Sequence, residues 1–392
     1  MFLLRTFYQS HHVCFRRLGL LFLLLSFVSV GGNSPGMSVT SAAHTVPIRI
    51  TTPGTVPSFP NATVARLDTY LNELANLSGS VLVAHNGMVF SKGYGQADME
   101  KHVSNTPQTM FRIGSISKQF TAMAILILQE RGKLHVEDAL CTYIPNCPQD
   151  WQPITIKHLL THTSGIPDYT DAPDFLSWWT QPQTPEQIIS RFKTLPLDFT
   201  PGHQFRYSNS GYLLLGYIIE RISGQSFATF LHENIFTPLN MTSSGYDSST
   251  IQSGHAKGYY QNYSSADVFD ISWAHAAGAL YSTTGDLYTW DLALAAHKLV
   301  SPQALTDMFT VHIPCAPAGS PKNCLLSNDK GYGYGWFIAV EPLGKLYYHV
   351  GYIDGFYTFN GFYPEKNIQL VVLTNLEKID VLKTGRELAT MV

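Results

Sequence analysis

The chain has 392 residues, 45% hydrophobic and only 14% charged, which is ample for one large core or two lobes. Its 25 Lys and Arg against 28 Asp and Glu give a formal net charge of −3. With no basic stripe in the body, that balance argues against nucleic-acid binding.

In chain order, Arg16 and Arg17 precede an apolar run from Leu18 to Val30, followed by Gly31 and Gly32. A basic region, an apolar stretch and small residues make an export signal, and the run is shorter than the ~20 residues of a spanning helix. Residues 1–32 are therefore expected to be a signal peptide or signal anchor. The protein is expected to be exported, periplasmic or secreted, or held at the membrane or cell wall by uncleaved residues 18–30. Residues 33–61 are rich in Ser, Thr, Pro and Gly and predict a flexible linker. The remaining 62–392 is expected to form one domain.

Val64, Leu67, Tyr70, Leu71 and Leu74 share a helical face and predict a helix from Ala62 or Thr63 to Leu77. Gly79 to Gly95 predicts a hairpin turning at His85-Asn86-Gly87. Ser115 and Lys118 follow at a three-residue spacing, at the head of an apolar run from Phe120 to Leu128 that predicts a buried helix ending at Gly132. On one helix face the hydroxyl and the amine meet. Serine is a weak nucleophile until a base takes its proton, and burial together with the helix N-terminus favours the neutral amine that can do so. Read alone, the same spacing also fits a solvated helix face. Tyr207-Ser208-Asn209 follows a Pro-Gly turn and precedes an apolar helix from Leu213 to Ile222. It offers a phenol and a carboxamide, or simply a helix cap. His349-Val350-Gly351 follows Leu346-Tyr347-Tyr348 and predicts a strand edge where Gly351 admits a substrate backbone, or a plain core strand. Further strands are predicted at 335–339, 355–359 and 368–373, with a terminal helix from Lys378. Cys14 falls in the leader. Cys141, Cys147, Cys315 and Cys324 remain, and Cys141–Cys147 with Cys315–Cys324 is the simplest of three pairings.

The three segments, in this order, resemble the serine β-lactamase and penicillin-binding-protein superfamily, most closely its branch of class C β-lactamases, D-alanyl-D-alanine carboxypeptidases and esterases. The resemblance runs from about Val64 to the C-terminus and includes the stretches 154–169, 233–241 and 277–287. It implies an α+β, β-lactamase/transpeptidase-like fold. An antiparallel sheet flanked by the N- and C-terminal helices would form an α/β lobe (about 62–112 and 265–392), with an all-helical lobe (about 113–264) and the active site between them. Ser115 matches the acylated nucleophile, Lys118 its proton-accepting partner, and Tyr207 the general base or relay. Asn209, His349 and Gly351 match substrate-binding positions, and the backbone N–H groups of Ser115 and Tyr352 the oxyanion hole. The resemblance implies no metal and no cofactor.

The third motif departs from the Lys-Thr-Gly or Lys-Ser-Gly of true β-lactamases. Histidine is largely neutral at pH 7 and Val350 donates no hydrogen bond. The expectation is an exported serine hydrolase acting through an acyl-enzyme on an ester, a D-amino-acid peptide or a β-lactam-type carbonyl. Esterase or peptidase action is favoured over efficient β-lactamase action, and the partner is a small-molecule or peptide substrate. The alternatives are a peptidoglycan D-alanyl-D-alanine carboxypeptidase and a catalytically silent penicillin-binding-like protein.

Overall fold

The computed structural model describes residues 57–247, 253–314, 325–326 and 328–392. The expected leader, nearly all of the expected linker, and Cys14, Cys315 and Cys324 lie outside these residues. Helix α1 (Asn61–Glu73) buries Leu67 and Leu71, one turn apart. It ends before the expected Leu77, and Asn76 adopts a left-handed backbone (φ 72°) ahead of the first strand. Strands β1 (Gly79–His85) and β2 (Met88–Tyr94) turn at Asn86 and Gly87, both at positive φ (52° and 82°). That backbone is why an Asn-Gly pair marks a hairpin.

The middle of the chain is largely helical. Helix α2 (Ser117–Glu130) is buried from Ser117 to Leu128, and α3 (Asn209–Ser223) from Ser210 to Ile219. The two share one apolar cluster. A small antiparallel sheet of Phe111–Arg112, Leu280–Ser282 and Gly245–Tyr246 leads the chain into α2.

The remaining strands complete an eight-stranded antiparallel sheet. They are β3 (Ile313–Pro314), β4 (Asp329–Tyr332), β5 (Phe337–Glu341), β6 (Gly344–Ile353), β7 (Phe356–Tyr363) and β8 (Ile368–Thr374). The order is β2-β1-β8-β7-β6-β5-β4-β3, so the early hairpin docks on the last strand, from Gly79 opposite Thr374 to His85 opposite Ile368. Alternation along β1 and β8 divides the core. Val81, Val83, Leu370 and Val372 pack with Leu67 and Leu71 of α1 and with Leu388 of the terminal helix α4 (Val381–Ala389). Leu82, Ala84, Val371 and Leu373 pack on the other side with α2 and with Leu287 and Trp290 of helix Thr284–Ala295. Helix α4 starts at Val381 rather than Lys378 because the Asp380 side chain caps it, accepting from the Lys383 N–H.

No helix among the described residues is long and apolar enough to cross a membrane. Cys141 and Cys147 form a disulfide. Its loop is short, so replacing both cysteines by serine is expected to cost about 2 kcal/mol in denaturant unfolding. The reaction rate is expected to hold, because neither cysteine is among the hydrogen-bond partners of Lys118.

Candidate active site

Ser115 lies in a single 3-10 turn (Gly114–Ile116) that runs directly into α2, with its side chain partly open to solvent. Lys118, in the first turn of α2, is fully buried. Its Nζ lies 3.0 Å from Ser115 Oγ, 2.9 Å from Asn209 Oδ1 and 2.8 Å from the Ala277 carbonyl. Three oxygens around one nitrogen fit a neutral amine well. Two N–H groups donate to the amide and the carbonyl, which can only accept, and the lone pair is left facing the serine O–H. Burial brings the Lys118 pKa down to about 7, against the opposing charge of Asp168.

Tyr207 lies in the segment before α3. Lys118 Nζ is 4.7 Å from the Tyr207 ring centroid and 5.5 Å from that of Tyr212. Ser208 caps α3 by accepting from the Gly211 N–H, which leaves Asn209 free for a different task from the one expected. Both ends of its carboxamide are held by the protein. Oδ1 accepts from Lys118, while Nδ2 is 3.2 Å from both Asp168 Oδ2 and Thr170 Oγ1. The Asn209 backbone N–H also donates to Asp168 Oδ2, at 2.7 Å. Asn209 thus orients Lys118, and substrate contact through its amide would require these bonds to be exchanged.

Asp168 is the residue that the sequence reading missed. It is buried, and burial raises its pKa against the bonds it accepts from Asn209 and Thr170. Only its Asp-x-Thr spacing, which closes a local turn through the Thr170 N–H and hydroxyl, hints at a fixed position.

His349 is also placed differently from the expected substrate-binding role. Its ring is 1% exposed. Nδ1 sits 2.6 Å from the Val350 carbonyl and so carries the proton, leaving Nε2 to accept from the Tyr332 hydroxyl at 3.1 Å. Burial, then the Lys118 charge, pushes its pKa down to about 3. A neutral ring with both nitrogens satisfied by the protein offers no cation to a substrate carboxylate.

Gly351 is tight for another reason than the expected one. A β carbon there would lie 1.9 Å from the Ile113 carbonyl oxygen and 2.3 Å from Thr358 Oγ1. The backbone that approaches Gly351 is the protein's own. The same contact seats the Ser115 turn on β6, and Thr358 of β7 holds it there by donating to the Ile113 carbonyl at 2.9 Å.

His349-Val350-Gly351 lies within a ten-residue strand. Pairing with β5 nevertheless stops at Tyr348, so from His349 onward β6 is bonded to β7 alone. The two-residue turn at Asp354-Gly355 makes Ile353 and Phe356 a hydrogen-bonded pair. By alternation Gly351 also bonds β7, and the Tyr352 N–H points to the uncovered edge. That edge faces Gly114, where a β carbon would lie 2.9 Å from the Tyr352 nitrogen. The backbone at Ser115 and Tyr352 is therefore close enough for two N–H groups to address one carbonyl oxygen.

The structure thus gathers Ser115, Lys118, Tyr207 and Asn209 around one nitrogen, with His349, Gly351 and Tyr352 on the adjoining strand. Of the four candidate disulfide cysteines it joins Cys141 to Cys147.

The profile of the Beta-lactamase family matches residues 65–389. PbpX of Bacillus subtilis (strain 168) is 31% identical over 317 residues, 80% of this chain and 74% of that protein. Of some other relatives the chain spans 62% of the length. Among solved structures, the penicillin-binding protein homologue from Pyrococcus abyssi superposes with a TM-score of 0.73 at 30% identity, covering 84% of this chain and 77% of that one. A D-stereospecific amidohydrolase from Streptomyces sp. superposes with a TM-score of 0.72 at 25% identity, covering 84% and 98%.

Proposed function

The chain belongs to the Beta-lactamase family, within the serine β-lactamase and penicillin-binding-protein superfamily, and from that premise we propose that it is an exported serine hydrolase that cleaves neutral esters or amides through an acyl-enzyme on Ser115. Hydrolase chemistry follows from the family and its amidohydrolase neighbour. The observation that carries the finer reading is the buried Lys118 amine against the Ser115 hydroxyl. Lys118 takes the serine proton as Oγ attacks the carbonyl carbon, and the Ser115 and Tyr352 N–H groups receive the oxyanion. Tyr207, beside Lys118, relays the proton to the leaving group, and water then cleaves the acyl-enzyme. The neutral, buried His349 disfavours substrates that need a cation for their carboxylate, which weighs against efficient β-lactam hydrolysis and against a carboxypeptidase. Export rests on the basic and apolar leader at 16–32.

Intact-mass measurement after a fluorophosphonate or a fluorescent penicillin tests the reading. One adduct per chain is expected on the wild type and none on Ser115→Ala. A short-chain nitrophenyl ester is expected to turn over faster than a chromogenic cephalosporin, with a D-amino-acid amide beside them to rank amide against ester. A wild type that forms no adduct with any acylating probe would leave only the silent binding protein.

A further inference from the structure

His162 lies outside the three motifs, yet it grips the Tyr207 segment at three points. Its carbonyl accepts from the Arg206 N–H at 2.9 Å, and its Nδ1 accepts from the Ser208 N–H at 3.1 Å. Its ring lies 4.3 Å from the Tyr207 ring, centroid to centroid. The residues on either side of Tyr207 are thus tied to one residue, and the phenol ring rests on the same residue's face.

The choice of residue is informative. His162 follows the helix Ile156–Leu160 with a left-handed backbone, φ 58°. Glycine or asparagine adopts that conformation more readily. The imidazole is 1% exposed and also meets the rings of Tyr212 and Tyr332, at 5.0 and 4.8 Å. Because Nδ1 accepts, the proton sits on Nε2, which is buried with no hydrogen-bond partner among the described residues. Burial, and after it the Lys118 charge, holds the His162 pKa well below 6.5. The ring therefore stays neutral and its Nδ1 lone pair stays available. A protonated ring would set a second donor against the Ser208 N–H.

We propose, on the footing of Ser115 acylation, that His162 is a positioning residue that fixes the Tyr207 phenol against Lys118 through the Ser208 anchor and its ring face. It touches neither substrate nor the reacting atoms. It sets the geometry through which Tyr207 moves a proton.

Three variants of the full chain separate this role from plain packing. H162G suits the backbone and removes both anchor and ring. H162N suits the backbone and returns an acceptor at the Nδ1 position. H162Q carries its acceptor one carbon further out, past the Ser208 N–H. Labelling of Ser115 by a fluorophosphonate (Oγ–P bond formed, fluoride released), acylation by a fluorescent penicillin, turnover of a neutral ester and the melting temperature are read for each. H162G is expected to lower kcat and acylation by about 10²-fold with KM within about threefold, the signature of a misplaced proton carrier. H162N is expected to recover about tenfold of that loss and H162Q none. The proposal is overturned if H162G acylates within about threefold of wild type, or if H162N is no faster than H162Q while both melt alike. An unlabelled wild type would sink the acyl-enzyme reading itself, whereas a labelled wild type with an indifferent H162G sinks only the role of His162.

Discussion

Lys118→Met is expected to slow acylation of Ser115 by about 10²–10⁴-fold while leaving the protein folded, the range that one well-placed general base contributes. Methionine has nearly the length of the lysine stem and no charge to desolvate, so it suits a fully buried site. Its cost is the lost donors to Asn209 Oδ1 and the Ala277 carbonyl, roughly 1–3 kcal/mol for each buried acceptor left unpaired. Relief of the buried amine offsets part of that. The pH dependence is the sharper readout. Attack needs the neutral amine, whose pKa burial lowers to about 7. Acylation of the wild type by an uncharged probe is therefore expected to rise about tenfold per pH unit below that value and to level off above it. The sign follows from the role, since a base works only once its proton has left. In Lys118→Met the slow residual reaction is expected to lose this limb. A limb that survives the substitution would assign the titration to another group, and an unchanged rate would remove Lys118 from the mechanism.

Much of this site was legible because its parts are local. Ser115 and Lys118 are three residues apart on a helical stretch, so spacing alone brings hydroxyl and amine together. The hairpin at Asn86-Gly87 and the run of buried α2 are equally local, set by turn chemistry and apolar periodicity. What the sequence concealed depends on distant partners. Asp168 reaches the site only because residues 168–170 pack beside the start of α3, and neither its spacing to Lys118 nor to Asn209 announces that. The sequence pattern offers the Asn209 amide as a substrate contact, whereas its two ends lie on Lys118 and Asp168. His349 matches a substrate-binding position in the sequence, but burial and Tyr332 make it a neutral ring with both nitrogens satisfied by the protein. His162 lies under Tyr207, a contact between residues 45 positions apart that no local pattern could reveal. Export and the Cys315–Cys324 pairing fall outside the described residues and remain expectations from sequence.

Gly351→Ala is expected to damage stability and catalysis together, because one methyl group strikes the contact that seats the nucleophile. The added carbon would lie 1.9 Å from the Ile113 carbonyl oxygen and 2.9 Å from the Ile113 carbonyl carbon, both backbone atoms that cannot rotate away. Either β6 retreats or the segment 113–115 does. Overpacking of this kind costs roughly 1–3 kcal/mol, readable as a lower denaturant midpoint. The catalytic effect has a separate cause. Ile113 directly precedes the Ser115 turn, and Tyr352 directly follows Gly351, so moving the two backbones apart opens the space between the N–H groups proposed to receive the oxyanion. Loss of one such donor costs on the order of 10²–10³ in turnover. The fall is expected in kcat rather than KM, and in ester and amide substrates alike, because the oxyanion forms in both. Thr358→Val serves as the comparison. It replaces the hydroxyl that donates to the Ile113 carbonyl by a methyl group and adds no atom to Gly351 itself, so a smaller loss is expected. A Gly351→Ala protein that keeps its kcat while losing stability would separate the seat of the nucleophile from the oxyanion site.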